Sequence, residues 1–243
     1  MSDLILEDSP GHEQTMTVDE AVTARRSIRA FLPRPVPLDT VRGVLERAAR
    51  APSGGNLQPW RIHVVTDAPL SKLKALMAVR AREVPQEAPV DYEIYPTPLP
   101  EPYKARRTAC GEAMYALLDI ARTDRERRWN RLRENFQLFG APLGLFCCVD
   151  RCMGAPQWAD LGMYLQTVML LLKARGLDSC AQEAWALYPR TMAAFLRLPD
   201  DQMLFCGMAV GWADPDAPVN RLVTERAPLE AFVRFHTGDA DDS

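Results

Sequence analysis

From Leu161 to Arg175 the chain is apolar nearly all round, broken only by Gln166, Thr167, Lys173 and Arg175. A helix with one apolar stripe lies on a protein's surface, whereas one without a broad polar face has to be covered on most sides. Its most apolar part, Met163 to Ala174, falls short of the roughly 20 residues that cross a bilayer. The segment is therefore expected to be the central helix of a globular fold. Pro156-Gln157-Trp158-Ala159-Asp160 opens it, and Gly176 stops it as a left-handed residue.

The rest of the composition fits that frame. A chain of 243 residues with 47% hydrophobic and 25% charged residues can bury one sizeable core. A net charge of −3 argues against a nucleic-acid or membrane-surface binder. The six cysteines, Cys110, Cys147, Cys148, Cys152, Cys180 and Cys206, form no CxxC pair and have no neighbouring histidine that would complete a zinc set. They read as reduced thiols of a cytoplasmic protein. Residues 1–14 are acidic and polar, with no charged and apolar leader pattern, and are expected to be a flexible arm. Residues 236–243 are expected to be a flexible tail. No repeat or linker divides the stretch between, so 15–235 is expected to form one α+β domain.

Along that domain, Thr17 and Glu20 have the capping-box spacing of a helix start. Asp39 is placed to cap a second helix over 40–50, and 60–66 alternates as a strand containing His63, which reads as structural. A helix over 69–80 carries Leu70, Leu73, Leu76 and Met77 on one stripe. Residues 83–103 are proline-rich, with Tyr92, Tyr95 and Tyr103 and no period; with the residues to 108 they are expected to be an insertion or lid. Helices follow at 109–119 and, charged and exposed, at 122–133. The sequence also predicts strands at 143–149, 177–180 and 203–210, a helix at 189–196, and a short amphipathic helix at 229–235. Phe136 and Phe139, before Gly140-Ala141-Pro142, are either plugs of the core or a lid over a planar ligand.

Two stretches carry chemistry. Ala51-Pro52-Ser53-Gly54-Gly55-Asn56-Leu57-Gln58-Pro59-Trp60 stands between a helix and a strand. Its prolines fix φ, its paired glycines open unusual backbone geometry, and its uncharged polar groups suit a polar, flat ligand. Arg25-Arg26-Ser27-Ile28-Arg29 is either a solvated helix end or an anion clamp, since guanidinium forks match phosphate oxygens.

These stretches, with Gly176-Leu177-Asp178, Gln182-Glu183-Ala184, the end of the strand from Gly207 to Gly211, and Arg226, resemble the FMN-dependent nitroreductase family. The nearest branch is the nitrobenzoate-reductase-like one, with its Asp214-Pro215-Asp216-Ala217 turn. The resemblance runs from about Thr17 to Phe235. It implies a mixed central sheet wrapped by helices in an intertwined homodimer, with FMN sites at the interface. It also implies tightly bound, non-covalent FMN, with Arg25, Arg26, Ser27 and Arg29 holding its phosphate and ribityl chain and Arg226 joining the phosphate. Pro52, Ser53, Gly54 and Asn56 would come from the partner, and Gln182, Glu183 and Ala184 would run beneath the ring. This chain has Ala184 where members often have glycine and Thr224 where they often have lysine. The implied activity is ping-pong transfer from NADH or NADPH to a nitroaromatic, a quinone or a related small electrophile, with the chemistry on FMN rather than on a catalytic side chain. Tyr103, Phe136 and Phe139 are the residues expected to select the substrate. The family also holds enone reducers, reductive dehalogenases and oxygen-dependent flavin-cleaving enzymes, and a non-catalytic flavin-binding protein is the other alternative.

Overall fold

Gln202–Ala213 (β5) is apolar along almost its whole length and buried at most positions, as a strand covered on both faces must be. In the computed structural model, which describes residues 16–236, β5 is the spine of a five-stranded sheet. The expected arm, 1–14, and the expected tail beyond His236 lie outside the described residues. Leu143–Asp150 (β3) pairs with one edge of β5, and Arg61–Thr66 (β2) pairs with β3. Along the other edge of β5 lie Asp178–Gln182 (β4) and then the short Phe31–Leu32 (β1). All these pairings are antiparallel. The parallel component that makes the sheet mixed is a single bridge between Ser27 and Ser179, where the Ile28 N–H donates to the Ser179 carbonyl at 3.1 Å.

Adjacent residues of a strand face opposite ways, so β3 feeds two cores. Phe146 and Cys148 join Leu73, Met77, Leu138, Trp185, Tyr188 and Met192 on one face of the sheet. Leu145 and Cys147 join Val44, Leu161, Leu165, Val168 and Leu172 on the other. His63 lies in mid-strand on β2 opposite Phe146, and burial pushes its imidazole pKa down.

Seven α-helices surround the sheet among the described residues. Val18–Ala24 (α1) has the expected capping box between Thr17 and Glu20. Leu38–Ala48 (α2) starts at Pro37 with no side-chain cap, so Asp39 sits inside the first turn instead of capping it. Asp67–Glu83 (α3) buries Leu70, Leu73, Met77 and Ala81, while Leu76 is exposed. Tyr103–Leu117 (α4) starts earlier than expected, so part of the predicted insertion is helical. Arg125–Arg133 (α5) is held at its start by the Asp124 side chain, which accepts from the Arg127 N–H. Pro189–Leu196 (α7) has the expected bounds. The amphipathic helix expected at 229–235 is reduced to a single 3-10 turn, Leu229–Ala231.

Ala155–Lys173 (α6) is the expected central helix. Gly176 has φ of 72° and donates to the Lys173 carbonyl, while Leu177 donates back to Leu172 at 3.0 Å; this reversal needs the left-handed backbone that glycine adopts without strain. One side of α6, through Leu161, Tyr164, Leu165, Val168 and Leu172, is buried. On the opposite side Ala159, Gly162, Met163 and Gln166 are exposed. No helix among the described residues is long and apolar enough to cross a membrane.

Candidate active site

Past α1 the backbone leaves helical geometry at Arg25, with φ −65° and ψ 126°, and runs extended into the bridge at Ser27. Extension separates neighbours that look alike in sequence, because alternate side chains face opposite ways. Ser27, Arg29 and Arg25 act on one buried group, the Cys180 thiol. Burial pushes that thiol's pKa up, and the Arg29, Arg131 and Arg25 charges and the Ser27 hydroxyl pull against it. Arg26 turns elsewhere. With Lys173, Asp178, Asn220 and Arg221 it lines an open concavity of about 460 Å³. Of the four residues expected to hold one anion, Arg25, Ser27 and Arg29 bear on Cys180, while Arg26 lines a separate concavity.

A third cation joins from a place the sequence did not indicate. Arg131 is buried, at 7% exposure, and its Nη2 donates to the Arg29 carbonyl at 3.0 Å. Its Nη1 pairs with Glu134, and its Nε is buried without a partner. The Asn220 side chain holds the same backbone from the other side, accepting from the Arg29 N–H at 2.8 Å and donating to Ala30. Six arginines lie between Arg122 and Arg133, and no period singled out the one that turns inward. The arrangement gathers three guanidinium groups and a hydroxyl around the start of β4. Such a surplus of forked donors is built to receive an anion.

From there β4 leads to Gln182-Glu183-Ala184. Gln182 is buried, and its amide is spent inside the protein: Nε2 donates to the Asn135 carbonyl at 2.8 Å and to the Asn135 side chain at 3.2 Å. Its Oε1 accepts from the Trp185 indole at 3.3 Å. Gln182 therefore fixes the path of the segment, and any group the segment offers a ligand comes from its backbone or its neighbours. Glu183 keeps contact with solvent, yet the protein around it desolvates its carboxyl and raises its pKa. Behind the segment Trp185 is fully buried and fills the space over Gly207, where an added Cβ would come 2.3 Å from the Trp185 Cδ1.

The loop before β2 sits at the other end of α6. The Asp160 carboxylate accepts from the Gly54 N–H at 3.2 and 3.3 Å, and the Ser53 hydroxyl accepts from the Gln58 N–H at 3.0 Å. Gly55, Asn56 and Gln58 all have positive φ, which accounts for the small and amide residues there. Trp60 anchors the exit by stacking on Tyr164 at 4.7 Å. Pro52, Gly54, Asn56 and Leu57 remain exposed, and Ser53 is half-buried. Lys173, which pairs with Asp178 at the start of β4 at 2.8 Å, is thirteen residues along α6 from Asp160 (173 − 160). At the helical rise that is about 20 Å. Within one chain the Asp160 anchor of this loop and the Lys173–Asp178 pair therefore stand at opposite ends of α6.

The other expected residues fall apart from the cluster. Arg226 is exposed, and its guanidinium folds back on Thr224 and Glu225. Tyr103, the first residue of α4, is 58% exposed. Phe136 and Phe139 are plugs of the core, not a lid. The 3-10 turn Glu134–Gly140 has left-handed geometry at Leu138 and Phe139, and both the Phe136 and Phe139 rings are buried. Phe136 meets Tyr188 and Trp185 edge-on at 4.8 and 5.4 Å, and Phe139 lies under Arg131.

A model of the nitroreductase family matches residues 22–212. The chain is 37% identical over 217 residues to 4-nitrobenzoate reductase of Pseudomonas putida, covering 89% of this chain and 94% of that one. It is 35% identical over 218 residues to nitrobenzene nitroreductase of Ectopseudomonas oleovorans, covering 90% and 96%. The FMN and NADPH-dependent nitroreductase NfnB of Sphigopyxis sp. strain HMH superposes with a TM-score of 0.87 at 46% identity, over 91% of this chain and 100% of that one. The FMN-dependent NfnB of Mycobacterium smegmatis, solved in complex with NADPH, gives 0.86 at 32% identity, over 90% and 97%. The chain belongs to the nitroreductase family.

Proposed function

We propose that this protein is an FMN-dependent nitroreductase that uses NAD(P)H to reduce a nitroaromatic such as a nitrobenzoate, or a related small electrophile such as a quinone. The observation that carries the reading is the bridge of Ser27 to Ser179 in β4 with Arg131 held on the Arg29 carbonyl at 3.0 Å, beside Cys180, on which the Arg25, Arg29 and Arg131 charges act. That cluster suits a phosphate, and Cys180 at its centre lies three residues before Glu183. At a strand's rise this is roughly 10 Å, the reach of a five-carbon sugar alcohol ending in phosphate.

When bound, FMN supplies the redox chemistry, accepting a hydride from the nicotinamide and passing it to the acceptor. The chain's own groups bind and orient. Arg25 and Arg29 take the phosphate oxygens with the Ser27 hydroxyl. The β4 end, held by Gln182 on Asn135 and Trp185, would offer the backbone of Glu183 and Ala184 to the flavin. The relatives described as NADPH-dependent, or solved with NADPH, favour NADPH as donor.

The working form is a homodimer. In one chain the loop around Asn56 is anchored at Asp160, about 20 Å along α6 from the Lys173–Asp178 pair, so Pro52, Ser53, Gly54 and Asn56 serve the flavin of the partner. The uncovered face of α6 and the exposed Val223, Leu229, Phe232 and Phe235 of the C-terminal stretch supply apolar surface for the second copy. Arg226, on that same stretch, joins the phosphate only on assembly. Buried free thiols at Cys147, Cys148, Cys180 and Cys206 suit a reducing cytoplasm.

The test is the visible spectrum of the purified protein, followed by oxidation of NADPH and of NADH with 4-nitrobenzoate, a quinone, or air alone. Bound FMN and NADPH oxidation that depends on the acceptor are expected. A colourless protein that consumes flavin with oxygen, or a yellow one that never oxidises either nucleotide, overturns the reading.

A further inference from the structure

Arg131 is 102 residues from Arg29 in the chain, yet it donates to the Arg29 carbonyl from inside the protein. Buried arginines that serve packing alone have their donors satisfied and their charge matched. Arg131 has neither. Its Nε is buried without a partner. Its one carboxylate, Glu134, has a side chain that is 50% exposed and is therefore screened by solvent. Arg29 beside it carries the same sign, and both act, with Arg25, on the buried Cys180. An apolar residue of similar length would fill the space over the Phe139 ring, 5.0 Å away, without burying a charge.

We propose that Arg131 is a positioning residue of the anion site: it holds the Arg29 backbone in place and adds positive potential from behind, so that the chain favours the phosphorylated ligand over the same ligand without its phosphate. The inference rests on the reading that the anion is the phosphate of FMN. An anion bound at Arg25, Ser27 and Arg29 offsets the like charges, which is the physical reason the arrangement tolerates three arginines around one thiol.

The test compares Kd for FMN with Kd for riboflavin, by fluorescence quenching on deflavinated protein, in Arg131→Met and Glu134→Gln variants. Circular dichroism checks each fold. Arg131→Met is expected to weaken FMN about tenfold while riboflavin changes less than about twofold, a preference set by charge. Glu134→Gln, which removes the screened counter-charge, is expected to tighten FMN about threefold and leave riboflavin unchanged. Equal losses of both ligands in Arg131→Met, or no loss of either, overturn the inference. If Arg131→Met fails to fold, Glu134→Gln decides, and an FMN-to-riboflavin ratio equal to that of wild type overturns it. Wild-type protein that binds neither ligand refutes the FMN reading itself, a result distinct from any of these.

Discussion

Gly207 shows how one residue can carry a site it never touches. A Cβ there would lie 2.3 Å from the Trp185 ring, and that ring donates to Gln182, which steers the segment toward Ala184. Trp185 is fully buried and has no room to yield. Gly207→Ala is therefore expected to cost about 3 kcal/mol of stability by overpacking, read from urea denaturation, and to loosen flavin retention in the protein that still folds. Arg25 is the opposite case, a half-buried cation whose loss leaves the cores untouched. Arg25→Ala should weaken FMN binding by about 2 kcal/mol, or roughly thirtyfold in Kd, with an unchanged thermal midpoint of the flavin-free protein. A variant that stays fully yellow on dialysis would contradict this assignment.

Among the elements, the proline-rich stretch between α3 and α4 departs most from expectation. It was expected to be an insertion or lid, but its first half is tied down. Glu87 is 1% exposed. It accepts from Arg80 at 2.9 Å, from the Thr191 hydroxyl at 2.6 Å, and from the Arg190 and Thr191 N–H groups at the start of α7 at 2.8 and 3.2 Å. Asp91 pairs with Arg151 at 2.7 Å, and the Tyr92 hydroxyl donates to the Phe205 carbonyl between the Trp158 and Phe205 rings. Any lid movement belongs to the part beyond Tyr92. Burial alone would raise the Glu87 pKa, but the bonds from Thr191, Arg80 and Arg190 outweigh it and hold the carboxyl below its ordinary value. A carboxyl depressed in the folded state stabilises the fold above its unfolded pKa of about 4.3, and that contribution is lost as pH falls through the lower folded value. Glu87→Gln is expected to cost about 3 kcal/mol at neutral pH. Its difference from wild type in urea titrations should shrink as pH drops below about 4. A difference that stays constant with pH would show that Glu87 acts by shape alone.

At the scale of the molecule, α6 decides how much of the fold one chain completes. Its covered side holds one core together, while its other side offers Gly162 and Met163 to solvent. If that side is the seam with a second copy, Phe232→Asp with Phe235→Asp should lower the oligomeric mass in light scattering and make the thermal midpoint depend on concentration. On the proposed dimer, Asn56→Ala should instead leave the assembly intact and impair flavin binding, since the loop would act across the seam. A monomer with FMN bound would contradict this account of the loop.

Much of this was legible in sequence, and the residues show why. Local signals have local causes: the Thr17 capping box, the turn at Gly176 and the bounds of α7 follow from hydrogen bonds and φ preferences within a few residues. The apolar run from Leu161 called for a helix covered on most sides. One chain covers only one side of it, through Leu161, Tyr164, Leu165, Val168 and Leu172, leaving Gly162 and Met163 exposed. Family motifs placed Arg25, Ser27 and Arg29 together. What tertiary structure alone decided was direction. An extended backbone sent Arg26 away from its neighbours, and Phe136 and Phe139 went into the core. Packing chose Arg131 from six arginines of similar surroundings. Composition cannot show which way a side chain points; that is set by contacts between segments far apart in the chain, where the cost of burying an unmatched group selects among residues that are locally equivalent.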